Sequence, residues 1–274
     1  MIGMKYLFWN THKNIDINPI LRDLITENCI SIVVLAEYTA DINDLIRLLY
    51  DSGVIMEHIP TVGCDRIHIL GRIDFHIEPQ LQTDYASIQV IGRDTILCCV
   101  HLNSQIYSDH VSRREIVIEQ IINDILKLEN GLNTTNTIIV GDFNINPYDN
   151  SCVNARYFHG IPIYEDAMRE SRNIAGKEFR MFYNPMWNFL GDFKEPYGTY
   201  YRSAADTFNP YWHIYDQVII RPSLRSRFVD GNLKIITGSA NVSLLDKNKH
   251  PNHSISDHLP ITFEIKEDYH EQNT

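Results

Sequence analysis

Four short, largely apolar runs each stop at a polar side chain, and this repeated pattern constrains the chain more than any other feature. Lys5-Tyr6-Leu7-Phe8-Trp9 is followed by Asn10, and Ile32-Val33-Val34-Leu35-Ala36 by Glu37. Ile96-Leu97-Cys98-Cys99-Val100 leads into His101 and Asn103, and Thr137-Ile138-Ile139-Val140-Gly141 into Asp142 and Asn144. Near the other end, Ser256-Asp257-His258 closes a polar loop and runs into Leu259-Pro260-Ile261-Thr262-Phe263. Uninterrupted apolar runs of this length are expected of strands buried on both faces, and a polar residue where the run ends falls on the rim of the sheet. One rim so built offers carboxylates, amides and imidazoles, the groups that metal-assisted phosphodiester chemistry requires. Taken singly, each motif has an ordinary reading: a glutamate after a strand is a solvated rim residue, and Gly-Asp-x-Asn is a turn closed by Asx side chains. Their ordered combination is what points to an enzyme.

Between the runs, short strands alternate with helices. Asn18-Pro19 reads as an N-cap and first-turn pair opening a helix over Ile20 to Glu27, with Leu21, Leu24 and Ile25 facing inward. Ile42, Leu45, Ile46 and Leu49 mark a second amphipathic helix. A third is expected from Ser112 to Glu129, with Ile118, Ile121, Ile122, Ile125 and Leu128 on one stripe. Gly63 to Ile73, Tyr85 to Ile91 and Thr95 to Val100 read as strands, the last two joined by Gly92-Arg93-Asp94 in a hairpin. Hairpins and crossovers together imply mixed sheets, and periodicity alone stops at α/β or α+β.

Composition bounds the rest. A chain of 274 residues, 44% hydrophobic and 22% charged, can build one large core, and one domain over residues 1–274 is expected. No run is long and apolar enough to span a bilayer, and the first residues lack the pattern of a secretory signal, so a cytoplasmic location without membrane contact is expected. Five cysteines, Cys29, Cys64, Cys98, Cys99 and Cys152, show no zinc spacing and are expected as buried, reduced thiols. The formal net charge of -11 weighs against tight, unaided binding of a polyanion, although a local basic rim is compatible with an acidic total. Arg113, Arg114, Lys247, Lys249, His250 and His253 are the candidates for such a rim. They read equally well as solvated loop charges.

Asn10, Glu37, His101-Leu102-Asn103-Ser104, Gly141-Asp142-Phe143-Asn144, Tyr215-Asp216 and Ser256-Asp257-His258 resemble, in order and approximate spacing, the endonuclease/exonuclease/phosphatase superfamily. The resemblance spans residues 4 to 265. It implies a DNase I-like, α/β (α+β) four-layer sandwich: two packed mixed β-sheets flanked by helices, with the active site at one edge. It also implies a hydrolase dependent on magnesium or manganese. Glu37 would be the chief metal ligand, supported by Asn10 and approached by Asp257. Asp142 would orient and deprotonate the attacking water, and Asn144 would hold phosphate or water. His258 would contact the scissile phosphate and be oriented by Asp216, with His101 as a second phosphate contact and Asn103 beside it. Arg113, Arg114, Lys247 and Lys249 would then meet the substrate. His12, although close to Asn10, reads as a surface or satisfied histidine.

Departures from particular branches narrow the substrate. Val100-His101-Leu102 precedes Asn103 where abasic-site nucleases carry a tyrosine, and no apolar hairpin or basic amphipathic helix suggests membrane access. The His101-Leu102-Asn103-Ser104 form leans toward the branch that includes tyrosyl-DNA phosphodiesterase 2. DNA is therefore the first substrate considered, with a recruiting protein partner suggested by the charge. Hydrolysis of a small phosphorylated molecule or lipid headgroup is the alternative, and a non-catalytic binding module is a third. Residues 178–212 hold twelve aromatic side chains interrupted by Pro185, Pro196, Pro210 and Gly198, which predicts a looping excursion. Its rings either pack on the domain or stack nucleobases, with Trp187, Tyr200 and Tyr201 as candidates. The segment after Lys266 is expected to fray.

Overall fold

The computed structural model describes residues 3–104 and 109–266. The chain begins with β1 (Gly3–Asn10), α1 (Asn18–Glu27), β2 (Ile32–Ala36), α2 (Ile42–Asp51), β3 (Met56–Ile59) and β4 (Ile67–Arg72). It continues through β5 (Ile77–Gln82), β6 (Ala86–Ile91), β7 (Thr95–His101), α3 (Asp109–Leu132) and β8 (Thr137–Asp142). Beyond these come α4 (Asn150–Val153), β9 (Gly160–Ile161), α5 (Tyr164–Ala167), β10 (Ser171–Ile174), β11 (Lys177–Arg180) and β12 (Phe182–Tyr183). The last are β13 (Tyr200–Tyr201), β14 (Trp212–His213), β15 (Asp216–Ile220), β16 (Lys234–Ile235) and β17 (Ile261–Lys266). The segment expected to fray, after Lys266, lies outside the described residues.

These strands form two mixed sheets. One runs β16-β17-β1-β2-β4-β3 and the other β5-β6-β7-β8-β15-β12-β9, while β10-β11 and β13-β14 are separate two-stranded ribbons. The pairs β1-β2 and β7-β8 are parallel, each with a helix in the crossover, and the β6-β7 hairpin is antiparallel as expected. Side-chain alternation divides the second sheet between two cores. Leu97, Cys99, Ile138, Val140, Val218 and Ile220 share a cluster with Leu7, Trp9, Val33 and Leu35 of the first sheet. Ile96, Cys98, Val100, Ile139 and Ile219 instead join Ile118, Ile121 and Ile125 of α3. Because the period of a strand is two, the inward series continues into His101, Asp142 and Asp216. Helices α1 and α2 place Leu21, Leu24, Ile25, Leu45 and Leu49 in the cluster of the first sheet. The result is the expected four-layer sandwich.

Local details depart from the sequence reading where tertiary bonds compete. Asn18 does not cap α1: Ile17 occupies that position, and the Asn18 amide donates to the Asp41 carbonyl while accepting from the Tyr38 hydroxyl. Asp41 caps α2, its carboxylate accepting from the Asn43 N–H at 2.9 Å. Helix α3 is longer than expected, whereas β4 starts only at Ile67, after a turn in which Cys64 N–H bonds the Thr61 carbonyl. Strand β5 is an exposed edge, blunted by Pro79 and an irregular register beside it. All five cysteines are free, but Cys29 is exposed rather than buried.

A buried ion cluster closes the end of β8 and β15 remote from Asp142. Glu129 of α3 accepts from Arg221 Nε at 2.7 Å, Arg180 Nη1 at 2.8 Å and the Thr137 hydroxyl at 2.7 Å. The Arg221 guanidinium also lies 3.8 Å above the Phe182 ring.

Gly141 is held where no other residue fits. Its φ is +157°, and a Cβ there would come within 1.9 Å of the Val100 carbonyl oxygen on β7. Gly141→Ala must push β7 and β8 apart, and we expect a loss of at least ~1–3 kcal/mol, the usual scale of core overpacking, read as a lower urea midpoint.

Candidate active site

Strand register brings the second sheet's polar residues into one row. His101 pairs with Asp142 across β7-β8, and Asp142 pairs with Asp216 across β8-β15. The first sheet supplies the facing row: Asn10 ends β1 opposite Ala36, with Glu37 next in the chain, and His258 approaches just before β17. Two contacts join the rows. Asn10 Nδ2 donates to Asp142 Oδ2 at 3.0 Å, and His258 Nδ1 donates to Asp216 Oδ2 at 2.8 Å. The Trp9 indole N–H fixes the His258 carbonyl at 2.9 Å, and the Ser256 hydroxyl accepts from the His258 N–H at 3.1 Å.

Glu37 and Asn144 both occupy the left-handed region, with φ of 49° and 50°. That conformation is uncommon for a residue other than glycine and persists only where surrounding bonds impose it. They do so here. The Glu37 carbonyl accepts from the Lys13 N–H and the Thr11 hydroxyl. Asn144 donates its N–H to Asp142 Oδ1 at 2.9 Å and its side-chain Nδ2 to the Leu102 carbonyl at 2.9 Å. Asp142 is thereby held through both carboxylate oxygens.

The electrostatics divide the two histidines. Burial alone would discharge His258, but the carboxylates of Asp216, Asp142 and Asp257 outweigh it and raise the imidazole to about 10. His258 is an imidazolium at neutral pH. Burial lowers His101 to about 4, assisted by the positive charges of Arg66, His258 and Lys13. His101 is therefore neutral; its Nδ1 is buried without a partner, while Nε2 lies 3.6 Å from Glu37 Oε1 and 3.8 Å from Asp142 Oδ2. Burial raises Asp142 above the ordinary carboxylate range, against the pull of the His258 charge and the hydrogen bonds from Asn10 and Asn144. A carboxylate and an imidazolium thus stand side by side, one suited to accept a proton and the other to donate one.

Residues with metal-ligating chemistry fall into two sets. Ligand atoms of Asp142, Asp216 and His258 lie within 4.8 Å of one another, but His258 is protonated and its Nδ1 is committed to Asp216, which suits acid–base work better than a cation cage. Glu37 offers a hard oxygen ligand. Its carboxylate faces the neutral His101 and has no cationic partner among the described residues, so a divalent ion would supply the missing positive charge. The Asn10 amide is already spent on Asp142 and on the His12 N–H. Asp257 Oδ1 lies 3.0 Å from Nδ1 of His12, a surface histidine.

The expected basic rim is redistributed. Arg113 and Lys247 are exposed, and Lys249 is exposed but paired with Glu195 at 2.9 Å. Arg114 cannot be a solvent-facing rim residue, because it is 3% exposed and reaches inward to the Asn103 and Asn144 carbonyls. Charges nearer the chemistry belong to Lys13 and Arg66, which act on His101. Neither stands out in the sequence, except that Lys13 lies three residues from Asn10.

Much of the aromatic segment is not an excursion. Phe182 and Tyr183 form β12 inside the second sheet, and Phe189 packs in the main core. Trp187 is half-buried, its indole N–H enclosed without a partner. The β13-β14 ribbon carries rings on both faces. Tyr200 lies 4.9 Å from the His258 ring and 5.3 Å from Tyr215. Tyr201 stacks on His250 at 3.6 Å, beside a cavity of about 330 Å³ lined by Tyr197, Trp212 and His250 among others. Phe193, Phe208 and Tyr211 are the exposed rings of this segment.

Comparison with solved structures settles the architecture. The catalytic domain of human Nocturnin with bound sulfate superposes with a TM-score of 0.57 at 14% identity, covering 96% of this chain and 92% of that one. A truncated TDP2 from Caenorhabditis elegans gives 0.57 at 14% identity over 97% and 98% of the two chains. A 3' phosphatase from Neisseria bound to a product DNA hairpin gives 0.53 at 14% identity over 96% and 100%. The fold is that of the endonuclease/exonuclease/phosphatase superfamily. No sequence-family model and no curated protein matches the chain.

Asp216→Asn removes the nearest carboxylate from His258. We expect the imidazole to titrate at a markedly lower pH, moving toward the ordinary histidine range, in an NMR titration of its ring resonances.

Proposed function

We propose that this chain is a divalent-metal-dependent phosphodiester hydrolase acting on DNA. The observation that carries the reading is the joining of the two sheets at one rim: Asp142 is held by Asn10 and Asn144 while His258, oriented by Asp216, stands charged beside it. Such a pairing of a buried base with a fixed acid has no evident structural need, since apolar residues would pack the same space at lower cost.

In this reading Asp142 accepts the proton of the attacking water. Its raised pKa makes the carboxylate a stronger base than a solvated aspartate, and two hydrogen bonds fix its direction. His258 directs Nε2 toward a phosphoryl oxygen and donates a hydrogen bond as charge develops there, with Asp216 holding the ring through Nδ1. His101, neutral and aimed between Glu37 and Asp142, offers a second contact to phosphate, and Asn144 and Asn103 line the approach. Magnesium or manganese would be held chiefly by Glu37, with Asp257 alongside and Asn10 supporting the site through its bond to Asp142, and would supply neutralisation of the phosphate charge. Cleavage of plasmid, single-stranded DNA, RNA, inositol phosphates and sphingomyelin, each with magnesium or EDTA, tests the assignment. Metal-dependent turnover of the small phosphates alone would replace DNA as substrate. Asp142→Asn and His258→Ala should each lower turnover at least ~100-fold without loss of fold, and Glu37→Gln should first raise the magnesium concentration required.

DNA as substrate is supported by the nucleic-acid complexes among the structural neighbours, one of them the 3' phosphatase with its DNA hairpin and another a TDP2 from D. rerio complexed with a single-strand DNA product. The net charge of -11 sets a condition on it. A chain with few cations to exchange for phosphate counterions binds DNA weakly and with steep salt dependence, so we propose that a partner with a DNA-holding surface raises its effective concentration at the substrate. Lys13 and Arg66 are the cations placed to meet the phosphate path. Replacing either by alanine should weaken DNA binding and reduce the slope of log affinity against log salt by about 1. Rapid degradation of DNA by the purified chain at near-physiological salt would remove the case for a partner.

A further inference from the structure

Arg114 stands in the second turn of α3, almost wholly buried. Its Nη1 reaches two carbonyl oxygens, those of Asn103 and Asn144, at 3.4 Å each. Its Nε is enclosed without a partner, and among the described residues no carboxylate lies within ion-pair distance of it. A guanidinium taken out of water, with the Asp149 and Glu115 carboxylates acting on it only from beyond ion-pair distance, is costly. The two carbonyls it reaches are therefore informative, because they belong to the segments that follow β7 and β8. The first segment carries His101 and Asn103, and the second carries Asp142 and Asn144. Both strands end within a residue or two of these contacts: the ladder reaches the Leu102 N–H, which bonds the Asp142 carbonyl at 2.9 Å, and the Phe143 N–H, which bonds the Tyr215 carbonyl at 2.8 Å, and among the described residues no backbone bond joins Asn103 to Asn144. Besides that Leu102–Asp142 bond, the Asn144 amide links the segments through the Leu102 carbonyl at 2.9 Å. Arg114 supplies a third link, approaching from the α3 side.

We propose that Arg114 is a positioning residue that locks the His101–Asn103 segment to the Asp142–Asn144 segment and thereby fixes His101 Nε2 and Asp142 Oδ2 at their 3.8 Å separation. A forked, planar guanidinium suits two acceptors held at a fixed spacing, whereas a lysine ammonium on a flexible stem does not reproduce that geometry. The catalytic consequence rests on the hydrolase reading above; the lock itself does not.

Hydrogen–deuterium exchange and steady-state kinetics on the full chain test the two separately, using Arg114→Met and Arg114→Lys. Amides at 102–104 and 143–146 should exchange about tenfold faster in Arg114→Met, with those of β1 and β17 unchanged, and less so in Arg114→Lys. Turnover should fall by up to about 10²-fold with KM nearly constant, and Arg114→Lys should fall between Arg114→Met and the parent. Unchanged exchange in both segments overturns the lock, whatever the activity. Faster exchange with parental kcat overturns the positioning role. If the parent chain hydrolyses no phosphodiester, the hydrolase reading fails and the exchange data alone decide the lock. Should Arg114→Met fail to fold, Arg114→Lys decides with the same two readouts.

Discussion

The hydrogen bond from Asn10 to Asp142 is the interaction on which the rest of the site depends. It joins the last residue of a strand in one sheet to the last residue of a strand in the other, at the point where the apolar interface between them ends. A carboxylate 1% exposed needs such donors, because an unsatisfied buried acceptor costs about 1–3 kcal/mol or more when charged. The amide meets that need and also fixes how far apart the two rims stand. Every other residue of the site takes its place from one of the two strands so joined.

Charge then differentiates residues of the same type. Two imidazoles enter one site, yet one is held protonated by three carboxylates and the other is kept neutral by burial beside two cations and the first imidazole. The difference follows from position in the sandwich. Asp216 is the next strand's partner of Asp142 and so reaches His258 from within, while His101 sits at the opposite flank, beside Glu37. The charged imidazole, the neutral one and the carboxylates are thus sorted by strand order rather than by residue type.

The sequence revealed strands far better than it revealed partners. Runs such as Ile32 to Ala36 and Thr137 to Gly141 announce buried strands, and their polar termini locate the rim, because both signals are local. Strands β3 and β5 gave too little: four residues with two exposed in the first, and a proline in an exposed edge in the second. Asn18 looked like a helix cap because a cap is a local pattern, but Tyr38 and Asp41 claim its amide from more distant positions. Arg114 was read as surface charge for the same reason, since nothing near it in the chain reveals that Asn144 lies above it. Phe182 and Tyr183 were assigned to a loop because prolines and glycine surround them, whereas pairing with β9 and β15 makes them a strand. Local chemistry is legible, and long-range competition for the same groups is not.

The ion cluster at Glu129 has a consequence for the opposite pole of the molecule. It grips β8 through Thr137 and β15 through Arg221, roughly 17 Å along the strands from Asp142 at about 3.3 Å per residue. Between the two poles the strands are apolar apart from Gln217, whose amide is bonded to the Ile145 carbonyl and the Asn184 side chain, and a slide of two residues would keep every side chain on its proper face. Oil alone would not object to such a slide. The cluster does, because any displacement would withdraw the arginine or the hydroxyl from a carboxylate that has no access to water. The far end therefore acts as a registration mark, and charges remote from the rim help to set the alignment of aspartate opposite aspartate there.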